Sequence, residues 1–307
     1  MPRPRRLLRL SSALALLGTL GLGTVTACKK SADSADPTAP GGTPAAQGGV
    51  VLRYKAGPVK LKENLTVSFA ASGNGQSGEM KADITGLLDI SAASPDKLKV
   101  AFSILEVRQF DLVGSMKPEA KDGKPAPDLK AKLQAATGAR VVDLLGDADK
   151  DATKALPENA KKEGAKPDED DMSSFGSFLG LPPELPKDGL AEGKPLKISK
   201  EDKENVFGLE IDMEIETTYT LVKIDSSSGK RVAEIKIDSE STGAKEMAQG
   251  GKSIMLALDV TSEATVHFNL DDQLPVRSHI ESTQNFSAGA EGGGEFRVVM
   301  DSTYEPA

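Results

Sequence analysis

The 307-residue chain has no tryptophan, only three tyrosines and two histidines, and a single cysteine. So few large aromatic side chains leave little to build a stacking platform for sugars or single-stranded nucleic acid. One cysteine allows neither an internal disulfide nor a cysteine metal site. No Gly-x-Ser-x-Gly elbow is present to carry a nucleophilic serine. The Gly292-Gly293-Gly294 run follows an acidic residue in an expected hairpin and starts no helix, so it reads as a turn and not a phosphate loop. Carboxylates abound, yet no pair is set apart by opposite pKa tuning. These absences argue against an enzyme, and no cofactor or metal is expected.

The lone cysteine, Cys28, ends the most informative stretch of the chain. Arg3, Arg5, Arg6 and Arg9 form a cationic start, and Leu7 to Val25 is rich in leucine, alanine and glycine with no acidic residue. Ser11, Ser12, Gly18, Gly21 and Gly23 interrupt the run, which fits a cleaved secretory signal better than a retained spanning helix of about 20 apolar residues. The segment closes on Val25-Thr26-Ala27-Cys28, which resembles the lipobox of bacterial lipoproteins. That resemblance implies that residues 1–27 are removed and that the Cys28 thiol carries a diacylglycerol, making membrane, through this lipid, the first expected partner. Several acyl chains at about 0.8 kcal/mol per buried CH₂ anchor firmly. The alternative is a soluble secreted protein in which Cys28 is an incidental thiol. Lys29 and Lys30 stand where an aspartate would otherwise follow, which resembles the pattern released to the outer membrane in Gram-negative lipoproteins and implies a periplasm-facing position there.

Loss of residues 1–27, with four arginines and no acid, moves the formal net charge from −8 to −12. Such an acidic body is a poor partner for nucleic acid. Residues 28–49 are mostly Ala, Ser, Asp, Pro, Gly, Thr and Gln and read as a flexible tether of about 25 Å r.m.s. span. Residues 50–307 form the body.

In the body, period-two alternation dominates. Leu65, Val67 and Phe69 share one side, and after the Ser72-Gly73-Asn74-Gly75 turn Met80, Ala82, Ile84, Leu88 and Ile90 continue it. Leu98, Val100, Phe102 and Ile104 follow, with a slip at Ile104-Leu105 that reads as a β-bulge before Leu105 and Val107. Leu209, Ile211, Met213 and Ile215 are expected inward, with Glu210, Asp212, Glu214 and Glu216 outward. Ala233, Ile235 and Ile237, then Ile254 to Val260, Ala264 to Leu270, Val276 to Ile280, and Phe296 to Met300 complete the set. Between them, residues 114–205 hold half of the eighteen prolines together with dense charge runs, so continuous sheet is not expected there. Two short helical pieces are: Asp128 to Ala136, and Ser173 to Leu181, whose Phe175, Phe178 and Leu179 are expected to cap the core as a lid.

The expected fold is therefore mainly β, a large curved antiparallel sheet or half-open barrel with one or two short helices; two smaller β domains split at 114–205 are the alternative. The lipobox, the strand-rich halves and the Leu181-Pro182-Pro183-Glu184-Leu185-Pro186 step resemble uncharacterised β-rich envelope lipoproteins, and more distantly the LolA/LppX type of carriers. The likeness implies acyl-chain binding inside a curved sheet and brings no functional residue with it. Asp147, Asp149, Asp151, Thr153 and Glu158 have the spacing of a calcium loop, but Ala152 stands where the turn wants glycine, Pro157 precedes the last ligand, and solvated surface is the better reading. His267 and His279 are expected as solvent-facing strand residues on neighbouring strands, without a third metal ligand. The expectation for function is a membrane-anchored, non-enzymatic envelope lipoprotein that binds an apolar ligand, either a lipid or an envelope protein component. A structural lipoprotein acting through protein contacts is the alternative.

Overall fold

The computed structural model describes residues 49–73, 75–117, 126–156, 184–206, 209–227, 229–249, 252–289 and 292–307. The signal, Cys28, the tether up to residue 48, and the Ser173–Leu181 piece lie outside them.

Ten strands form one sheet: β1 Val59–Gly73, β2 Gln76–Ser94, β3 Lys97–Gly114, β4 Thr137–Asp143, β5 Leu196–Val206, β6 Leu209–Asp225, β7 Val232–Gln249, β8 Lys252–Asn269, β9 Leu274–Ala288 and β10 Gly292–Pro306. Their order is β4-β3-β2-β1-β10-β9-β8-β7-β6-β5, with every neighbouring pair antiparallel. The fold is mainly β, with all ten strands in one unclosed curved sheet. Most strands exceed 14 residues, roughly 50–60 Å each at about 3.3 Å per residue. The expected facing of β6 holds from residue 210 on, with Ile211, Met213 and Ile215 buried and Glu210, Asp212, Glu214 and Glu216 exposed, while the side chain of Leu209 lies outside those described. A one-residue slip would bury that row of acids, so the register is strongly specified.

Of the two edge strands, β4 falls inside 114–205 and β5 all but its last residue, Val206, although continuous sheet is not expected there. Helix α1, Leu129–Gln134, precedes β4, and α2, Lys150–Lys154, lies between β4 and β5. Proline stays out of both edge strands, and the six charged residues of β5 suit an edge, where they discourage pairing with other chains. Helix α1 begins where Asp128 accepts a hydrogen bond from the Ala131 amide at 3.0 Å, and Leu129 and Leu133 dock inward. Its Gln134 then stands in for a strand partner. The side chain accepts from the Val107 amide at 2.8 Å and donates to the Ile104 carbonyl at 3.3 Å, on the edge of β3 that β4 leaves behind.

Three large apolar residues are expelled at bulges, two of them, Leu105 and Val276, against the expected facing. Leu105 pairs with no residue between Ile104 and Glu106, Val222 with none between Leu221 and Lys223, and Val276 with none between Pro275 and Arg277. Each is the extra residue of a bulge and points outward, at 53, 42 and 38% exposure. The slip at Ile104-Leu105 is a bulge as the sequence suggests, but Leu105 is the residue it expels, and Val276 is likewise outside while Pro275 takes the inner position.

At the end of the sheet where β1 begins, the chain crosses between the edges. Leu185 donates its amide to the Leu145 carbonyl just past β4, Val50 and Leu190 exchange backbone hydrogen bonds, and Gly193 donates to Leu221 of β6 before β5 starts. Tyr54 and Lys55 donate to Leu144 and Gln273. Residues 49–55 and 184–193 thus close this end, with Leu52, Tyr54, Leu185 and Leu190 buried in the core. The crossing is tight. A Cβ on Gly49 would lie 2.9 Å from the Gly189 carbonyl carbon, and Gly146, at φ +93°, leaves room for the Tyr54 ring 3.0 Å from where its own Cβ would stand. At the far end no backbone hydrogen bond among the described residues joins β3 beyond Ser103 to β5.

Candidate functional site

The inner face of the sheet changes chemistry along its length. At the closed end it holds a buried polar cluster. Glu63, fully buried, lies on the apolar side of β1 between Leu61 and Leu65, and Ser302 of β10 donates to its Oε1 at 2.9 Å. Arg140 enters from β4 with its Nε sealed from solvent. Burial pulls the guanidinium pKa down, and the charge of Glu63 opposes that. Around them the Tyr54 and Tyr304 phenols are pushed well up, chiefly by burial, with Glu63 adding to the effect on Tyr304, which is also held by Ser278 and Ser302. The Tyr54 ring meets Phe268 edge-on at 5.6 Å. A carboxylate and a guanidinium brought inside together avoid the cost of either one alone.

A second cluster sits where the edges meet. Glu184 pairs with Lys200 of β5 at 2.9 Å. Asp147 faces them, and its Oδ1 is buried with no hydrogen-bond partner among the described residues. Burial, then the charges of Glu184 and Asp143, push its carboxyl up to about 6, with Lys200 opposing. Tyr219 of β6 is raised by burial and by the same two acids, Glu184 and Asp147.

Toward the far end the inner face turns apolar. Phe69, Phe296 and Phe286 stack in series at 5.9 and 5.4 Å, and the Phe286 ring fills the space over its cross-strand partner Gly294. Ile211, Met213, Ile215, Leu256 and Leu258 form a separate small core against Phe286 and Ala288. Phe286, and Phe110 and Leu112 on β3, are half-buried.

The sequence candidates are placed as follows. Cys28, and Phe175, Phe178 and Leu179, lie outside the described residues, as does Glu158. Of the remaining calcium-loop residues, Asp149 and Thr153 serve the fold. Asp149 caps α2 by accepting from the Ala152 amide at 2.8 Å and pairs with Lys97 at 2.5 Å, and the Thr153 hydroxyl accepts from the Val141 amide at 2.8 Å. Among the described residues no group of three or more His, Cys, Asp or Glu could hold a metal ion. His267 and His279 face outward on adjacent strands but are diagonal neighbours, since His267 is opposite Arg277 and His279 opposite Thr265. His279 Nδ1 lies 2.9 Å from Asp301 of β10, a carboxylate distant in sequence that only the register brings alongside. Glu63 has a sequence signal, an acid at an inward position of the Leu61 to Phe69 alternation. Its partner Arg140 and the Asp147–Glu184 approach have none, because both depend on sheet curvature and on the crossing segments.

No protein-family model matches the chain, and no curated protein matches it. Among solved structures, an outer membrane channel from Pseudomonas putida F1 aligns over 86% of this chain and 100% of its own at 8% identity, with a TM-score of 0.24. A likeness that slight carries no argument about fold or function.

Proposed function

We propose that the protein is a lipid-anchored envelope lipoprotein, held to the membrane through Cys28, whose curved sheet binds an apolar ligand or apolar envelope component on its inner face. The observation that carries this reading is the asymmetry of that face. The chain's own crossing segments cover it at the end where β1 begins, while Phe110, Leu112 and Phe286 remain half-buried at the far end. Apolar surface that a chain leaves partly uncovered in a concave setting is the usual lining of a ligand site. The tether supports the arrangement, since it joins the body at Gly49, within the closed end, and so leaves the far end away from the anchor. The reading as a structural lipoprotein is favoured instead by the closed end itself, which is filled by Leu52, Tyr54, Leu185 and Leu190.

Native mass spectrometry of the protein purified without detergent separates the two. Co-purifying lipid or another apolar adduct is the expected result, and a bare mass would favour the structural role. For the anchor, Cys28→Ser is expected to leave an uncleaved or soluble protein that no longer fractionates with membranes. Retention in the membrane fraction with the signal still removed would rule the lipid out.

A further inference from the structure

Midway along the inner face, the register aligns Thr217, Ser239, Ser262 and Ser282 in one row across β6 to β9, and places Ser241 and Gln284 in the next row toward the far end. These side chains share the inward positions of their strands with Ile215 and Tyr219, Ile237, Ala264 and Ile280. Thr217 and Ser239 hydroxyls are 3.1 Å apart. Gln284 is 5% exposed, and its Oε1 has no hydrogen-bond partner among the described residues. Ser239, Ser241 and Ser282 are only half-buried, so the row borders space that another molecule can reach. A buried amide oxygen left unpaired costs stability, and a row of hydroxyls in the middle of an apolar wall forgoes the packing that valine or alanine would give.

The row is also uncharged. No acidic or basic residue occupies an inward position between Ile211 and Leu221, Ala233 and Gly243, Leu256 and Phe268, or Ser278 and Ala288. On the outer side of the same strands charge is dense. The nearest inward charges belong to edge strand β5, where Lys200 is held by Glu184 and is separated from Ser241 by Ile215, and Asp202 lies beyond.

We infer that this row is the polar subsite for an uncharged amphiphile, whose hydroxyl or amide headgroup donates to Gln284 and exchanges hydrogen bonds with the serines while its hydrocarbon part runs over the half-buried Phe286 and Ala288 toward the far end. The inference rests on the apolar-ligand reading and names the class of that ligand. A pure hydrocarbon leaves the Gln284 oxygen unpaired, and an anionic headgroup gives up its hydration without meeting a cation along β6 to β9. A neutral polyol or amide satisfies the row without either cost.

The test titrates the full chain, by native mass spectrometry, with three probes that share one acyl chain: 1-monooleoylglycerol, methyl oleate and oleate. Monooleoylglycerol is expected to bind about tenfold tighter than methyl oleate, which has no donor, and tighter than oleate. Gln284→Leu should bring it down to the methyl oleate level while leaving methyl oleate unchanged, and Ser239→Ala with Ser241→Ala should do the same in part if the glutamine variant does not fold. Equal binding of monooleoylglycerol and methyl oleate, or tighter binding of oleate, overturns the subsite and leaves the apolar-ligand reading standing. Failure of all three probes to bind overturns both.

Discussion

The two ends of the inner face are made by the same strands and held together in opposite ways. At the closed end Glu63, Arg140, Tyr54 and Tyr304 bring polar groups inside, where Ser302 and Ser278 supply hydrogen bonds and the charges of Glu63 and Arg140 act on each other, and two crossing segments join β4 to the β5 side by single hydrogen bonds. At the far end the contacts are Phe on Phe and Ile, Leu and Met on one another. Directional groups specify a single arrangement and fail abruptly when one partner is removed, whereas apolar packing tolerates change in proportion to the area lost. The closed end thus behaves as the part that fixes the shape, while the far end keeps part of its apolar surface uncovered.

Substitutions at the two ends should therefore have different consequences. The largest effect is expected at Glu63 and Arg140. Glu63→Leu or Arg140→Leu alone should each lower unfolding stability by about 3–5 kcal/mol, because either leaves a buried charge behind, while the double variant should recover most of the loss. Denaturant unfolding of the three variants measures it, and simple additivity would show that the two do not act as a pair. At the far end Phe286→Ala should cost less, roughly 1–2 kcal/mol, since the ring is half-buried and loses mainly its stack on Phe296. A loss as large as that at Glu63 would mean the far end is as rigidly specified as the closed one.

The smallest effect is a pH dependence at the edge junction. Asp147 is raised from 3.8 to about 6 in the folded protein, so folding favours its protonated form. That contribution is full below about pH 3.8 and is lost as pH rises through 6. Taken alone the shift corresponds to about 3 kcal/mol, which solvent screening of a half-exposed carboxylate reduces to about 1 kcal/mol. Asp147→Asn should therefore be more stable than the unaltered chain at pH 7 and equal to it near pH 4, measured as the difference between their unfolding midpoints. An advantage of the same size at both pH values would show that Glu184 and Asp143 do not act on Asp147 through its charge.

Much of the sheet is legible in the residues, and the misses have specific causes. Alternation such as Leu65-Val67-Phe69 against Thr66-Ser68-Ala70 reports which side is buried, because successive side chains of a strand point to opposite faces. It misplaces Leu105 and Val276, since a bulge inserts one residue and turns an apolar side chain outward without altering local composition. It misses β4 and β5, because an edge strand with charges has little alternation to detect. The histidines read as surface residues and are, but the contact of His279 with Asp301 is 22 residues away in sequence and one strand away in space.

The strand-rich body, the faces of most strands and the acid-lined exterior of β6 are already written in the order of the residues, because these follow from nearest neighbours along the chain. It is the three-dimensional arrangement that makes β4 and β5 the edges, closes one end between them with residues 49–55 and 184–193, sets the charge of Glu63 against Arg140, and lines up five uncharged polar side chains with Gln284 on the inner face. Those relations depend on register and curvature across the sheet, where residues more than a hundred positions apart become neighbours, and no local pattern of residues encodes a distance measured across the fold.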